Sequence, residues 1–274
     1  MNVCETTAGN PGDNPSPCSR HGIVANPLKS RRFTNFVRYL LDDWLPPALR
    51  EVRLLSKVLT LGFHGSHFDL DFKRKAFSMS DEEFAHAYAR LGKGQKAAYR
   101  TTDMTEGQIR WMVEQAVGPD VLEVGCGYGV LAERLAGRGD LKVTATDLSA
   151  DNIEVLRGQK RSPGQEIDLQ VANVERLPFA DKSFDTVLCA HTLEHVRDFE
   201  KAVAELVRVT RRRLLVVVPC QRYYRYTIDY HLHFFPEPEQ LILRMGLPRY
   251  HCERIGGDLC YRADLDREAQ KKED

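Results

Sequence analysis

The chain has 274 residues, and its 39 Lys and Arg stand against 39 Asp and Glu, giving a formal charge of zero. That balance argues against a chain-wide polyanion-binding surface, and so against nucleic acid as a partner, although a local basic patch can survive inside a neutral total. With 28% charged and 42% hydrophobic residues, the composition is that of a globular protein of one or two domains rather than a disordered chain.

The segment 1–28 is rich in Asn, Pro, Gly and Ser and has no apolar period, so it reads as a flexible tail. Its start, Met1-Asn2-Val3-Cys4-Glu5, has neither the basic region nor the apolar run of a secretory signal, which makes the cytoplasm the expected compartment. No run reaches the roughly 18 uninterrupted apolar residues of a membrane-spanning helix. Residues 29–104 read as a helical extension. Phe33, Phe36, Val37, Leu40 and Leu41 recur at helical spacing until Pro46-Pro47 breaks the run, and a second helical stretch covers 48–61. Both mix basic with bulky apolar residues, which suits a cap packed on the main domain or a peripheral contact with a membrane or partner. Ser80-Asp81-Glu82-Glu83 then marks a helix start, with acids at the positive end of the dipole. Another helix is expected over 105–117.

From Asp120 onward, short apolar runs alternate with helical ones. The expected strands are Val121–Val124, Val143–Thr146, Ile167–Val171, Phe184–Leu188 and Leu214–Val218. Between the last two, Phe199, Ala202, Val203, Leu206 and Val207 form a single apolar stripe on a helix that begins at Asp198. Such alternation implies an α/β fold, a mostly parallel sheet with helices on both faces, whose ligand crevice lies at the carboxyl ends of the strands. The seven cysteines are odd in number and contain no CxxC pair, so neither a disulfide framework nor a zinc knuckle is favoured and no metal is expected.

The residues just after each strand carry the chemistry. The first strand runs into Glu123-Val124-Gly125-Cys126-Gly127-Tyr128-Gly129. Glycines at 125, 127 and 129 allow a sharp turn and close approach of a ligand to the main chain. The third glycine of a dinucleotide fingerprint is replaced by Val130, which weakens a pyrophosphate reading. Glu123 suits an ammonium group and not a phosphate. After the second strand, Asp147 stands 24 positions beyond Glu123, where an acid accepts both hydroxyls of a ribose, or merely starts the next helix beside Ser149. After the third, Asn173 carries the donor and acceptor atoms to read an adenine edge, and Val174 would pack on the ring. An ammonium site, a ribose acid and an adenine reader, with nothing for a phosphate, together describe S-adenosylmethionine.

The strings VLEVGCGYG, TATDLS, VANVERLPFADKSFDTVLCAHTLEHV and LLVVVP resemble, in order and spacing, the class I S-adenosylmethionine-dependent methyltransferases, in the small-molecule type 11 branch that includes quinone C-methyltransferases. The resemblance covers residues 105–266, with 267–274 left as a charged tail. It implies a Rossmann-like, seven-stranded sheet with a reversed last hairpin, to be supplied by residues 250–263 around Gly256-Gly257. It implies cofactor contacts at Glu123, Gly125, Gly127, Asp147, Leu148 and Asn173, joined by Cys126, Gly129, Val174 and, at the end of the fourth strand, Ala190. Some relatives hold the cofactor's carboxylate with the region that here is Arg100, Thr101 and Thr102. Many carry Asp where Asn173 stands.

The fourth strand ends in His191-Thr192-Leu193-Glu194-His195. In the methyltransferase reading this segment borders the methyl group, and His191 or His195 serves as general base, with an ordinary pKa of about 6.5, or shapes the loop by hydrogen bonding. The same string matches the inverted zinc-peptidase motif, which belongs inside a longer helix, so a zinc hydrolase ranks well behind. Past the fifth strand, the run 221–235 is dense in Tyr, His and Phe. Tyr223, Tyr226, His231 and His233 are the expected acceptor contacts, in an aromatic lid or a packed loop. The expected function is methyl transfer from S-adenosylmethionine to an O, N or C atom of a small molecule, which the aromatic segment and basic apolar helices suggest is lipid- or glycan-linked. A methyltransferase-like protein that binds without turnover is the alternative.

Overall fold

The computed structural model describes residues 71–94, 102–159, 161–223 and 230–266, together with Trp44, Pro46, Val52, Leu54 and Lys57. The tail 1–28, the expected helix at 33–41, all of that at 48–61 but Val52, Leu54 and Lys57, Arg100, Tyr226 and the segment 267–274 lie outside them.

Seven strands among the described residues form one sheet: β1 (Asp120–Val124), β2 (Lys142–Asp147), β3 (Ile167–Val171), β4 (Phe184–Ala190), β5 (Thr210–Pro219), β6 (Tyr250–Ile255) and β7 (Asp258–Asp264). Their order is β3-β2-β1-β4-β5-β7-β6. Strands β1 to β5 pair in parallel, β7 runs antiparallel to β5, and β6 runs antiparallel to β7. The reversed hairpin therefore lies where it was expected. Its two-residue turn, Gly256-Gly257, has φ of +61° and +93°, the left-handed pair that a tight antiparallel turn requires.

Every residue of β4 is buried, which explains its unbroken apolar run: both faces are covered. Alternate residues point to opposite faces. On one side Leu122, Val124, Val187, Leu214 and Val216 pack with Phe199, Leu206 and Leu241. On the other, Val121, Leu188, Leu215 and Val217 pack with Ile109, Leu131 and Leu156. The first layer is supplied by α6 (Phe199–Val209) and α7 (Pro238–Met245), the second by α3 (Glu106–Gln115), α4 (Val130–Ala136) and α5 (Ala150–Arg157). Helix α6 starts where the sequence placed it, because the Asp198 carboxylate accepts from Lys201 N at 2.9 Å. Helix α3 starts with a reciprocal box between Thr105 and Gln108.

Before the sheet, α1 (Phe72–Lys75), a 3-10 turn (Ala76–Ser78) and α2 (Asp81–Gly94) form a short helical unit. Phe72, Ala76 and Phe84 bury themselves against Tyr230 and Leu232, with Leu148 packed alongside. The described part of the N-terminal extension is thus a cap over the carboxyl ends of the strands. The chain leaves β1 for β2 and β3 on one side and returns to β4 on the other. The switch in strand order therefore opens between β1 and β4, and this positions the site.

Candidate active site

The turn after β1 is tied to β2 by its backbone. Gly125 N and Cys126 N both donate to the Thr146 carbonyl, at 2.8 and 2.9 Å. Gly127 N donates to Asp147 Oδ2 at 2.8 Å. A side chain at Gly125 would meet Thr192 Oγ1 at 2.0 Å, so that glycine is required by packing. Gly127 differs: its φ is +53° and a Cβ there would meet nothing within 4 Å. The loop is open at that point, which is where a ligand can touch the main chain. Gly129 caps α4 against Leu156. Cys126, expected among the cofactor contacts, turns its side chain into the core with Leu131 and Leu135 and gives only backbone to the turn.

Glu123 lies buried at the end of β1, and its Oε2 has no hydrogen-bond partner. Burial, with the nearby Asp147 charge adding to it against a hydrogen bond from the Ala132 amide, pushes its carboxyl up to about 8. A buried, half-satisfied carboxyl beside an open glycine turn is a site for a cation that arrives with a ligand. Asp147 is partly buried, and burial raises its pKa against hydrogen bonds from Ser149 N, Gly127 N and Asn152 Nδ2. It both starts α5 and presents a carboxylate at the crevice, so the two sequence readings of this residue hold together. Leu148 packs against the cap. Asn173 Oδ1 accepts from Glu175 N at 2.9 Å, which fixes the loop after β3. An amide oxygen has a second lone pair, and Asn173 also carries an NH₂ donor, so the side chain retains capacity for an adenine edge. Val174 is 7% exposed and belongs mainly to the core. Ala190 ends β4 close by, also buried. The orphaned Glu123 oxygen, the open turn at Gly127 and the carboxylate of Asp147 fit S-adenosylmethionine.

Beyond β4, His191 adopts φ +49°, a left-handed conformation uncommon outside glycine. Its side chain is 11% exposed, and it lies between two buried carboxylates: Nδ1 is 3.4 Å from Glu194 Oε1 and Nε2 is 3.4 Å from Asp258 Oδ2. Burial opposes the charge, but Asp258 and Glu194 outweigh it and push His191 up to about 9. That direction favours the imidazolium, which has no lone pair, and the two carboxylates around the ring speak against the expected general base there. Gln108 completes the support, donating to Asp258 Oδ2 at 2.9 Å and to the Ile255 carbonyl at 2.7 Å. Residues 193–195 form a turn rather than a helix, so the zinc-peptidase geometry is absent. Asp258 and Gln108 were not singled out as site residues, whereas Glu194 was named only as part of the inverted zinc string. The sequence signals available for the first two were the helix expected from Thr105 and the position of Asp258 next to Gly256-Gly257.

Segment 230–235 is stitched over this turn. Leu232 N and His233 N both donate to the Glu194 carbonyl, at 2.7 and 3.0 Å. His195 Nδ1 lies 3.1 Å from the Tyr230 carbonyl, and His231 Nδ1 lies 2.6 Å from Gln221 Oε1. The two rings meet edge to face at 4.8 Å. Tyr230 stacks on Phe72 of the cap at 4.0 Å. Tyr223 stands exposed at the rim, with Lys73 Nζ 4.6 Å above its ring. His233 was expected to touch the acceptor, but it packs away from the crevice. Its Nε2 donates to the Val196 carbonyl at 2.9 Å, Arg244 donates to its Nδ1, and its ring abuts Phe199. Burial, reinforced by Arg244, holds its pKa below the ordinary value. Cys220 donates to the Pro236 carbonyl and is packed against the core, not poised as a nucleophile.

Known proteins resemble this chain in sequence and in fold. Residues 122–218 match a family described as "Methyltransferase domain". The chain is 33% identical over 119 residues to an O-methyltransferase, cnsE, of Penicillium expansum, covering 43% of each chain. It is 36% identical over 107 residues to a ubiquinone biosynthesis O-methyltransferase of Thiobacillus denitrificans, covering 38% of this chain and 46% of that one. The chain thus spans less than half the length of these relatives. Among solved structures, the PH0226 protein from Pyrococcus horikoshii superposes with a TM-score of 0.50 at 17% identity, over 59% of this chain and 89% of that one, a likeness of fold. Residues 122–218 thus match the methyltransferase-domain family, and the seven-stranded sheet that carries them shares its fold with this solved structure.

Proposed function

We propose that the chain transfers a methyl group from S-adenosylmethionine to an O, N or C atom of a small-molecule acceptor. The observation that carries this reading is the buried Glu123 carboxyl, with one oxygen unpartnered, beside the open turn at Gly127. Glu123 would receive the cofactor's ammonium, Asp147 its ribose hydroxyls, and Asn173 its adenine edge. The cofactor supplies the activated methyl. The protein's part is to hold the acceptor atom in line and to exclude water, an alignment worth about 7–11 kcal/mol. Segment 230–235 and the cap stand over the carboxyl ends of the strands, which suits the second task. We place the catalytic domain over residues 105–266 with the preceding extension as its cap.

The rim favours an apolar, lipid- or glycan-linked acceptor. Phe77 and Tyr223 are both more than half exposed, and the Lys73 ammonium lies against the Tyr223 and Phe234 rings. A peripheral membrane contact through the N-terminal helices follows the same logic. Among the described residues no helix is long and apolar enough to cross a membrane, and the described cysteines are free thiols, which supports a cytoplasmic placement. Incubation with methyl-labelled S-adenosylmethionine and a fractionated host extract should label a compound in the lipid-soluble fraction. Label confined to water-soluble products would overturn the acceptor class. Cofactor binding with no labelled product in any fraction would favour a binding protein without turnover.

A further inference from the structure

Glu194, His195 and His231 each place one coordinating atom within 4.8 Å of the other two. Glu194 is 1% exposed, and neither of its oxygens has a hydrogen-bond partner. The His191 imidazole, Nδ1 at 3.4 Å, faces it from one side, and His195 Nε2 lies 3.9 Å away on another. A buried acceptor-only group of this kind requires a cation. The two other imidazoles are oriented to help supply one. A carbonyl oxygen only accepts, so the Tyr230 carbonyl holds the proton of His195 on Nδ1 and leaves the lone pair on Nε2. The amide oxygen of Gln221 does the same for His231. An imidazole whose far nitrogen donates to a carbonyl is the usual support of a metal-bound histidine.

We propose that Glu194, His195 and His231 form a site for a divalent transition metal, zinc above all. Two imidazoles and one carboxylate suit zinc rather than magnesium, which prefers oxygen ligands. The set is not the one the inverted zinc motif would use. His231 takes the place of His191, which is engaged between Glu194 and Asp258. A tetrahedral ion about 2.0–2.2 Å from each ligand holds them roughly 3.4 Å apart, so binding draws the three groups together and clamps segment 230–235 onto the turn after β4. Three protein ligands leave a fourth coordination position for water or a ligand. The site does not depend on the methyl-transfer reading.

The test is calorimetric titration of chelator-treated, full-length protein with zinc alone, and with magnesium alone. The expected result is one zinc per chain and no magnesium. His195→Gln and His231→Gln should each weaken zinc binding at least about tenfold, whereas His251→Ala, on the exposed face of β6, leaves it unchanged. Thermal unfolding and S-adenosylmethionine binding of each variant, measured in parallel, separate loss of the ion from loss of the fold. The cobalt-substituted protein should show no thiolate charge-transfer band. Absence of a stoichiometric zinc site, zinc binding unaltered in both glutamine variants, or a thiolate band would each overturn the proposal.

Discussion

Glu123 is a carboxyl whose protonation state depends on what lies beside it. Free, it is pushed up to about 8 by burial, so at neutral pH it holds its proton. Its folded pKa lies above the unfolded 4.5, so its contribution to stability is fully present below about pH 4.5 and is lost as pH rises through about 8. Glu123→Gln should flatten that part of the stability profile, read by thermal unfolding across the range. An arriving ammonium favours the carboxylate, so cofactor binding at pH 7 should release a proton and tighten as pH rises toward about 8. Calorimetry in buffers of different ionisation enthalpy checks the first point. A wild type that releases no proton, or one that matches Glu123→Gln in its pH dependence, would remove Glu123 from the ammonium site. Gly127→Ala makes a second residue-scale test. Its Cβ enters open space at the cost of about 1–2 kcal/mol for a left-handed alanine. It should leave the chain folded while weakening cofactor binding, and unchanged affinity would mean that no ligand approaches the turn. These two residues were legible in the sequence because the acid and the glycines sit together on one strand end. The setting of His191 was not, because Asp258 lies far along the chain and arrives only when the reversed hairpin pairs with β5.

At the scale of elements, legibility followed burial. β4 is buried on both faces and read directly as an apolar run. β5 begins four residues before its apolar stretch, because Arg211, Arg212 and Arg213 occupy its start and take ion pairs there, Arg211 with Asp185 and Arg213 with Asp264. Charged residues at a strand's solvent end carry no hydrophobic signal, and the register with β4 shifts here, between Phe184↔Thr210 and Thr186↔Arg213. Helix α7 was also not anticipated, though Pro238 at its first turn and Gly246 after its last residue mark both ends. Helix α6 was anticipated, and its leading residue links core to site. Phe199 is fully buried, abuts His233 and Phe235, and lies 3.9 Å from the Arg244 guanidinium carbon. Phe199→Ala should cost about 3–5 kcal/mol in denaturant unfolding. It should also speed amide exchange in segment 230–235, whose backbone hangs on the Glu194 carbonyl. A cost below about 1 kcal/mol would mean that the segment is held by its hydrogen bonds alone.

Arg197, two residues beyond His195, donates to the Met79 carbonyl, pairs with Asp81 and lies against the Phe84 ring. The cap is therefore fastened to the same turn that carries His191, Glu194 and His195. Sheet, cap and segment 230–235 meet at the carboxyl ends of the strands, where we propose that the cofactor binds. The central claim is that β1, β2 and β3 each contribute one group to S-adenosylmethionine. Its most direct test is calorimetric titration of the cofactor into the wild type and into Asp147→Asn and Asp147→Ala, with thermal unfolding to confirm that each variant is folded. The account predicts one site per chain in the wild type and at least about tenfold weaker binding in both variants. Absence of binding to the wild type, or equal affinity in folded variants, would contradict it.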